Sequence, residues 1–231
     1  MGTLQVNQHP SSRLAAGDHV IHAASSANVS PIKKKLDAFR KIHAAFVAAE
    51  KKVGAADAAL EAAEAAVGEA DAEQDAAVVA LAAKMIGDGA PKANPLKLFG
   101  LDAPSRVVIM PVAAEAKVTA SLAKKAVAWK DASAATKAAA ATLAKASAKV
   151  SKALAALPAK QAAHKAAMSA RDALGVPWAR AFAHLKNAAR TADDDGAPGL
   201  FATLFGVETK ARKPRKANGQ PTPPPPAAPS A

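Results

Sequence analysis

The chain has 231 residues, of which 68 are alanine, 3% are aromatic and none is cysteine. So much methyl surface with so few large side chains excludes a thick globular core, and the missing thiol excludes disulfides and thiolate zinc sites. The formal charge of +12 favours anionic partners such as nucleic acid, an acidic lipid surface or an acidic protein. Alanine is the best helix former and lets backbones approach, so the composition suits long, closely packed helices.

Residues 1–30 are polar apart from the patch Asp18-His19-Val20-Ile21-His22. They read as a flexible arm that docks a short piece on the body. Ser30-Pro31 then marks a helix start, with serine as N-cap and proline at the first helical position.

From Ile32 the chain repeats every seven residues. Ile32, Phe39, Phe46, Val53, Leu60 and Val67 hold position a; Gln74 interrupts the series and Leu81 resumes it. Position d is mostly alanine: Ala49, Ala56, Ala63, Ala70 and Ala77, with Lys35 and Lys84 near the ends. This is the pattern of a long helix that packs against another helix. Gly54 and Gly68 lie inside it, each costing about 1 kcal/mol relative to alanine, so a break is expected near either if anywhere.

Gly87-Asp88-Gly89, Pro91 and Pro95 end this helix. Residues 87–110 are too apolar for a plain linker, with Leu96, Phe99, Leu101, Val107 and Ile109, and are expected to fold over the hairpin tip as a cap. A second long helix begins near Pro111. Its a positions read Leu122, Trp129, Thr136, Leu143, Val150 and Leu157; its d positions include Ala132, Ala139, Ala146 and Ala153. Folding back antiparallel sets large residues over alanines. Pro158 is expected to kink or interrupt it. Gly175 ends it, and Pro177 opens a shorter helix with Trp178, Phe182 and Leu185 on one face. The apolar Leu200–Phe205 segment should pack back onto the body. Beyond it, Lys210, Arg212, Lys213, Arg215 and Lys216 precede a proline run, and this stretch is too polar to pack. Its mixture of alanine, lysine, proline and arginine resembles linker-histone tails in composition, without a shared motif.

The expected fold is therefore all-α: a long antiparallel helical hairpin with an alanine-rich seam, a tip cap, short C-terminal helices and a tail. The expected organisation is an N-terminal arm over 1–30, one elongated helical domain over 31–206 and a disordered basic, proline-rich tail over 207–231.

Charge is unevenly placed. Residues 91–192 carry 17 Lys and Arg against 4 acids, whereas residues 1–90 carry 9 against 11. Lys117, Lys124, Lys145 and Lys152 share heptad position c and would form one stripe along the second helix. Glu50, Asp57, Glu64 and Asp71 recur at position e of the first, opposite Ala126, Ser133, Ala140 and Ser147 and so unmatched inside the hairpin. The bland reading takes both stripes as solvated faces; the sharper one pairs them between molecules.

Enzyme signatures are absent from the sequence: no phosphate-binding loop, dinucleotide fingerprint or nucleophile elbow occurs. His19 and His22 beside Asp18 lack a partner at metal-ligand spacing, His43 and His164 read as packing residues, and Trp129 reads as core before stacking surface. The favoured function is a non-catalytic structural or protein-interaction module acting through a helical rod, with self-association. The alternative is sequence-nonspecific nucleic-acid association, with phosphates held by Lys117, Lys124, Lys145, Lys152, Lys210, Arg212, Lys213, Arg215 and Lys216. No cofactor, metal or small-molecule substrate is expected. The N-terminus has no apolar signal region and every apolar stretch carries charge, so a cytoplasmic location is expected and a membrane partner is not.

Overall fold

A computed structural model describes residues 2–3, 7 and 9–207. The fold is all-α, built on an antiparallel helical hairpin. Its helices are α1 (Pro10–Ala23), α2 (Lys33–Gly87), α3 (Pro104–Val107), α4 (Val112–Ala128), α5 (Ala134–Ala173), α6 (Gly175–Asp194) and α7 (Leu200–Phe205). A two-residue antiparallel pairing joins Gly2–Thr3 to Gly206–Val207. None of the described helices is long and apolar enough to cross a membrane.

The chain divides into two compact units, residues 44–176 and residues 1–43 with 177–231. The larger unit holds the hairpin. Ser133 donates its N–H to Asp88, Lys149 meets Glu73, His164 meets Asp57 and Arg171 meets Glu50. In each pair the two residue numbers add to 221 or 222, which fixes α2 and α5 as antiparallel in one register over the whole unit.

α2 passes unbroken through Gly54 and Gly68, which face open space. α5 likewise passes through Pro158, so of the expected kink or interruption the interruption does not occur. Pro158 is exposed, so the carbonyl one turn back that loses its hydrogen bond lies on the solvent side, where water can replace it.

The second arm of the hairpin is not one helix. It breaks at residues 129–133, and α4 folds back along α5. Trp129 takes an extended backbone, and the Ser133 side chain caps α5 by accepting from the Thr136 N–H at 3.2 Å. Asp88, at the end of α2, accepts the Ser133 N–H at 2.8 Å. Folding α4 back makes a three-helix layer. Leu81 and Met85 of α2, Leu122 and Ala126 of α4, and Ala140 and Leu143 of α5 share one buried cluster. Residues 87–110 cap it as expected, contributing Ala90, Leu96 and Val107. Here α5 buries Leu143 and Val150 at position a, Ala146 at d, and Ala140 and Ser147 at e, because two helices cover it, with Ala139 half-buried.

The smaller unit is held by aromatic packing. Trp178 and Phe182 of α6 stack at 4.9 Å, with Phe39 of α2 edge-on to both. The stretch read as an N-terminal arm contains α1, whose Ala16, Gly17 and Val20 are buried. Gly17 has a clear purpose: a Cβ there would overlap the His43 ring. That ring accepts the Trp178 indole N–H on Nδ1 at 3.1 Å and donates from Nε2 to Asp18 at 3.0 Å. Asp18 thus partners a packing histidine on α2, while His19 and His22 are exposed. In α7, Leu200, Leu204 and Phe205 are buried, so this apolar segment is used up inside the unit as expected.

Candidate functional site

The chemistry-bearing feature of the larger unit is a polar layer inside the three-helix bundle. α2 presents Gln74 at a seam position where a large apolar residue is expected; α4 presents Thr119 and α5 presents Ser147, and all three are at most 1% exposed. The Thr119 hydroxyl lies 3.1 Å from Gln74 Oε1, and Ser147 Oγ lies 2.9 Å from Thr119 Oγ1. Each hydroxyl is also within 2.9 Å of a carbonyl one turn back, Glu115 O for Thr119 and Leu143 O for Ser147. Two hydroxyl protons therefore serve more acceptors than they can satisfy at once. One residue from each helix, bonded across the core, fixes the axial register of all three.

One turn along lies a group of carboxylates. Asp71 and Asp75 stand one helical turn apart on α2, and Glu115 comes from α4. Ligand-capable oxygens of the three lie within 4.8 Å of one another. Glu115 is fully buried, and neither of its carboxyl oxygens has a hydrogen-bond partner; Asp71 and Asp75 are half-buried, each with one buried, unpartnered oxygen. Gln74 Nε2 is also buried without a completed hydrogen bond.

The electrostatics follow from burial. Glu115 is pushed up to about 7, first by loss of water, then by the nearby Asp75 carboxyl, which favours the protonated form, and by the Asp75 and Asp71 charges; the Gln74 amide, short of a full hydrogen bond, opposes this by favouring the carboxylate. Asp71 is raised by burial and by Asp75. Elsewhere in the unit Asp88 is held below the ordinary range by the nearby Thr136 hydroxyl, short of a full hydrogen bond, and by the Ser133 N–H. Arg171 loses water, but Asp172 and Glu50 outweigh that and raise it.

The sequence-based sites fare unequally. Lys117 and Lys124 lie on α4, Lys145 and Lys152 on α5, and all four are exposed. The break at 129–133 therefore splits the expected single stripe into two pairs on antiparallel helices. Lys210, Arg212, Lys213, Arg215 and Lys216 lie outside the described residues. The acidic series at position e is matched at two of its four positions, since Glu50 pairs with Arg171 at 3.3 Å and Asp57 with His164 at 3.5 Å, whereas Glu64 is exposed and Asp71 stands beside Asp75. Position e of α2 thus meets the a series of α5, and the expected e-to-e facing does not hold. Trp129 packs against the core cluster.

Sequence reasoning missed the polar layer and the carboxylates beside it. The usable signal was Gln74 breaking the apolar series, with acids three residues before and one after it. Glu115 is also the only acid between Asp102 and Asp131.

Compared with protein-family models, with curated proteins and with solved structures, the chain shows no significant match to any of them.

Proposed function

We propose that this protein is a non-catalytic interaction module that works through the surface of the α2–α5 hairpin, and that its partner is a second copy of the chain. The observation that carries this reading is the state of the seam. Where α4 is present, Leu81, Leu143 and Val150 are 0% exposed. Beyond the reach of α4, the corresponding Val53, Leu60, Val67 and Leu157 are only half-buried within their unit. Two alanine-lined helices leave a partly wet seam, and an added helix pair removes that apolar surface from water at about 25 cal/mol per Å².

Charge favours a second copy as the occupant. In this stretch α2 exposes Glu61, Glu64 and Glu69, while α5 exposes Lys152, Lys160 and Lys165. A two-fold axis sets the acidic helix of one copy against the basic helix of the other, twice over. The test is sedimentation of two variants, one with Glu61, Glu64 and Glu69 changed to lysine and one with Lys152, Lys160 and Lys165 changed to glutamate. Each alone should weaken the dimer, and mixing the two should restore a heterodimer. A wild-type chain that stays monomeric at high concentration and low salt overturns the proposal.

A second reading, sequence-nonspecific nucleic-acid association, is favoured by the exposed Lys117, Lys124, Lys145 and Lys152 together with the cationic excess of residues 91–192. Titration of a labelled duplex should then show affinity falling linearly, log against log, with salt. Deleting residues 210–231 removes five cations and should make the slope shallower by up to about 4–5 units. Absence of binding at low salt sinks this reading and leaves the first untouched.

A further inference from the structure

The carboxylates beside the polar layer carry an inference independent of the hairpin surface. We propose that Asp71, Asp75 and Glu115, with the Gln74 side-chain oxygen, form a binding site for one hard divalent cation that clamps α4 to α2.

Three observations converge on this. The first is geometric: ligand-capable oxygens from two helices lie within 4.8 Å of one another, close enough for one ion to reach them all with small side-chain adjustments. The second is burial. Glu115 is 0% exposed and neither of its oxygens completes a hydrogen bond, although the Gln74 amide and the Asp75 carboxyl lie nearby. A fully buried carboxylate without a hydrogen bond is costly, and a cation is one of the few groups that can compensate it beside two further acids.

The third comes from Gln74, which is not one of the acids. It is 0% exposed, and its Nε2 has no completed hydrogen bond although it lies near Glu115. A half-turn of the amide preserves the bond to Thr119, with the N–H now donating to Thr119 Oγ1. It also eases the shortage of hydroxyl protons, because Thr119 then donates to the Glu115 carbonyl 2.8 Å away. The same half-turn points the amide oxygen at the carboxylates as a fourth, neutral ligand.

The donor set decides the class of ion. All four ligands are oxygens, and no histidine belongs to the group. Such a set selects magnesium, calcium or manganese over zinc or copper. Asp71 and Asp75 are half-buried, so water can reach the open side and complete the coordination.

The test uses the full chain, freed of metal with a chelator and dialysed, then titrated separately with manganese, magnesium and calcium. Calorimetry and the loss of the free-manganese paramagnetic signal should report one saturable site. The melting temperature should rise by roughly 5–10 °C at a hundredfold excess over the dissociation constant. Glu115→Gln should abolish both responses, yet the metal-free variant should melt no lower than wild type, because an uncompensated buried acid has been removed. Asp71→Asn, at a half-exposed position, should fold normally and weaken binding at least tenfold. An unchanged melting temperature and no saturable manganese binding at millimolar concentration overturn the proposal. Equal responses in wild type and both variants overturn it too, by assigning the ion to another part of the surface.

Discussion

Two stretches of one hairpin share a heptad pattern and differ in how they bury it. In both, α2 offers large residues at a and alanine at d, and in both α5 runs alongside in one register. Between residues 70 and 82 the seam is dry, because α4 lies over it; between residues 53 and 67 it is half-wet. The heptad thus fixes which face of α2 turns inward, while the number of helices in the layer fixes how completely that face is sealed. A repeat built from alanine makes this plain, since two such helices have too little side-chain volume to cover each other.

The largest expected effect compares two leucines in equivalent places. Leu81 and Leu60 both hold position a of α2, three heptads apart; Leu81 is 0% exposed and Leu60 is half-buried. Leu81→Ala should cost about 2–5 kcal/mol, because it opens a cavity among packed neighbours. Leu60→Ala should cost about 1–2 kcal/mol, since the lost side chain already touches water. Chemical denaturation of the two variants checks the ranking. Equal losses would mean that something covers the two-helix stretch in solution, and concentration dependence of the Leu60→Ala loss would identify a second copy.

The dry end also contains the most strongly raised acid among the described residues, and this sharpens the comparison through pH. With chelator present, Glu115 titrates near 7 when folded against an ordinary value of 4.5. Between those values the folded chain holds a proton that the unfolded chain releases, so stability should fall as pH rises through that window and level off above it. The upper bound on the fall is roughly 3 kcal/mol. Glu115→Gln should flatten the profile and leave the variant more stable than wild type at pH 8. Urea denaturation from pH 4.5 to 8 reads this directly. A wild-type profile that rises with pH would assign the buried group a compensating partner.

Overpacking tests the same contrast from the other side. Ala126→Leu adds volume where α4 meets α2 and α5, at 0% exposure, and should cost about 1–3 kcal/mol. Ala63→Leu, at position d of the half-wet seam, should cost no more than about 1 kcal/mol, yet still more than Ala62→Leu on the exposed face. Thermal melts of the three variants give the order. If Ala62→Leu proves the worst of them, the heptad register of α2 is wrong in this stretch.

Much of this architecture was legible in the chain, and the reasons are local. The a/d spacing from Ile32 to Leu81 needed only the helical period, and Gly87 to Pro95 ended the helix by known backbone limits. Leu200–Phe205 was too apolar to stay in water. The break at 129–133 was not legible, because it contains neither glycine nor proline. It is set by Ser133 capping α5 and by Asp88 arriving from 45 residues away to take the Ser133 N–H. Gln74 was visible as an interruption, but nothing in the sequence ties Thr119 and Ser147 to it until α4 is folded back. The carboxylate site was hidden for the same reason: Asp71 and Asp75 read as part of an acidic face, and only tertiary packing brings Glu115 to them.

The smallest expected effect reverses the ranking of the two stretches. Lys149 and Glu73 sit at the three-helix level, 2.6 Å apart, but both side chains are more than half exposed, at 52% and 56%. Arg171 and Glu50 sit on the two-helix stretch at 3.3 Å, with side-chain exposures of 12% and 31%. At these two pairs the better-shielded ion pair lies on the less sealed seam. Arg171 holds position a of α5, and a two-helix seam leaves room there for a long side chain whose aliphatic part can cover apolar surface. A double-mutant cycle on Lys149 and Glu73 should give a coupling of about 0–0.5 kcal/mol that vanishes in 1 M salt. The cycle on Arg171 and Glu50 should give about 1 kcal/mol and survive salt in part, because water screens it less. Glu50→Gln alone should lose less than Arg171→Ala, since Asp172 remains 2.8 Å from the guanidinium while the alanine variant also strips the aliphatic cover from the seam. If both couplings are equal and equally salt-sensitive, the arginine is solvated in solution and the half-wet seam is more open than its exposures imply.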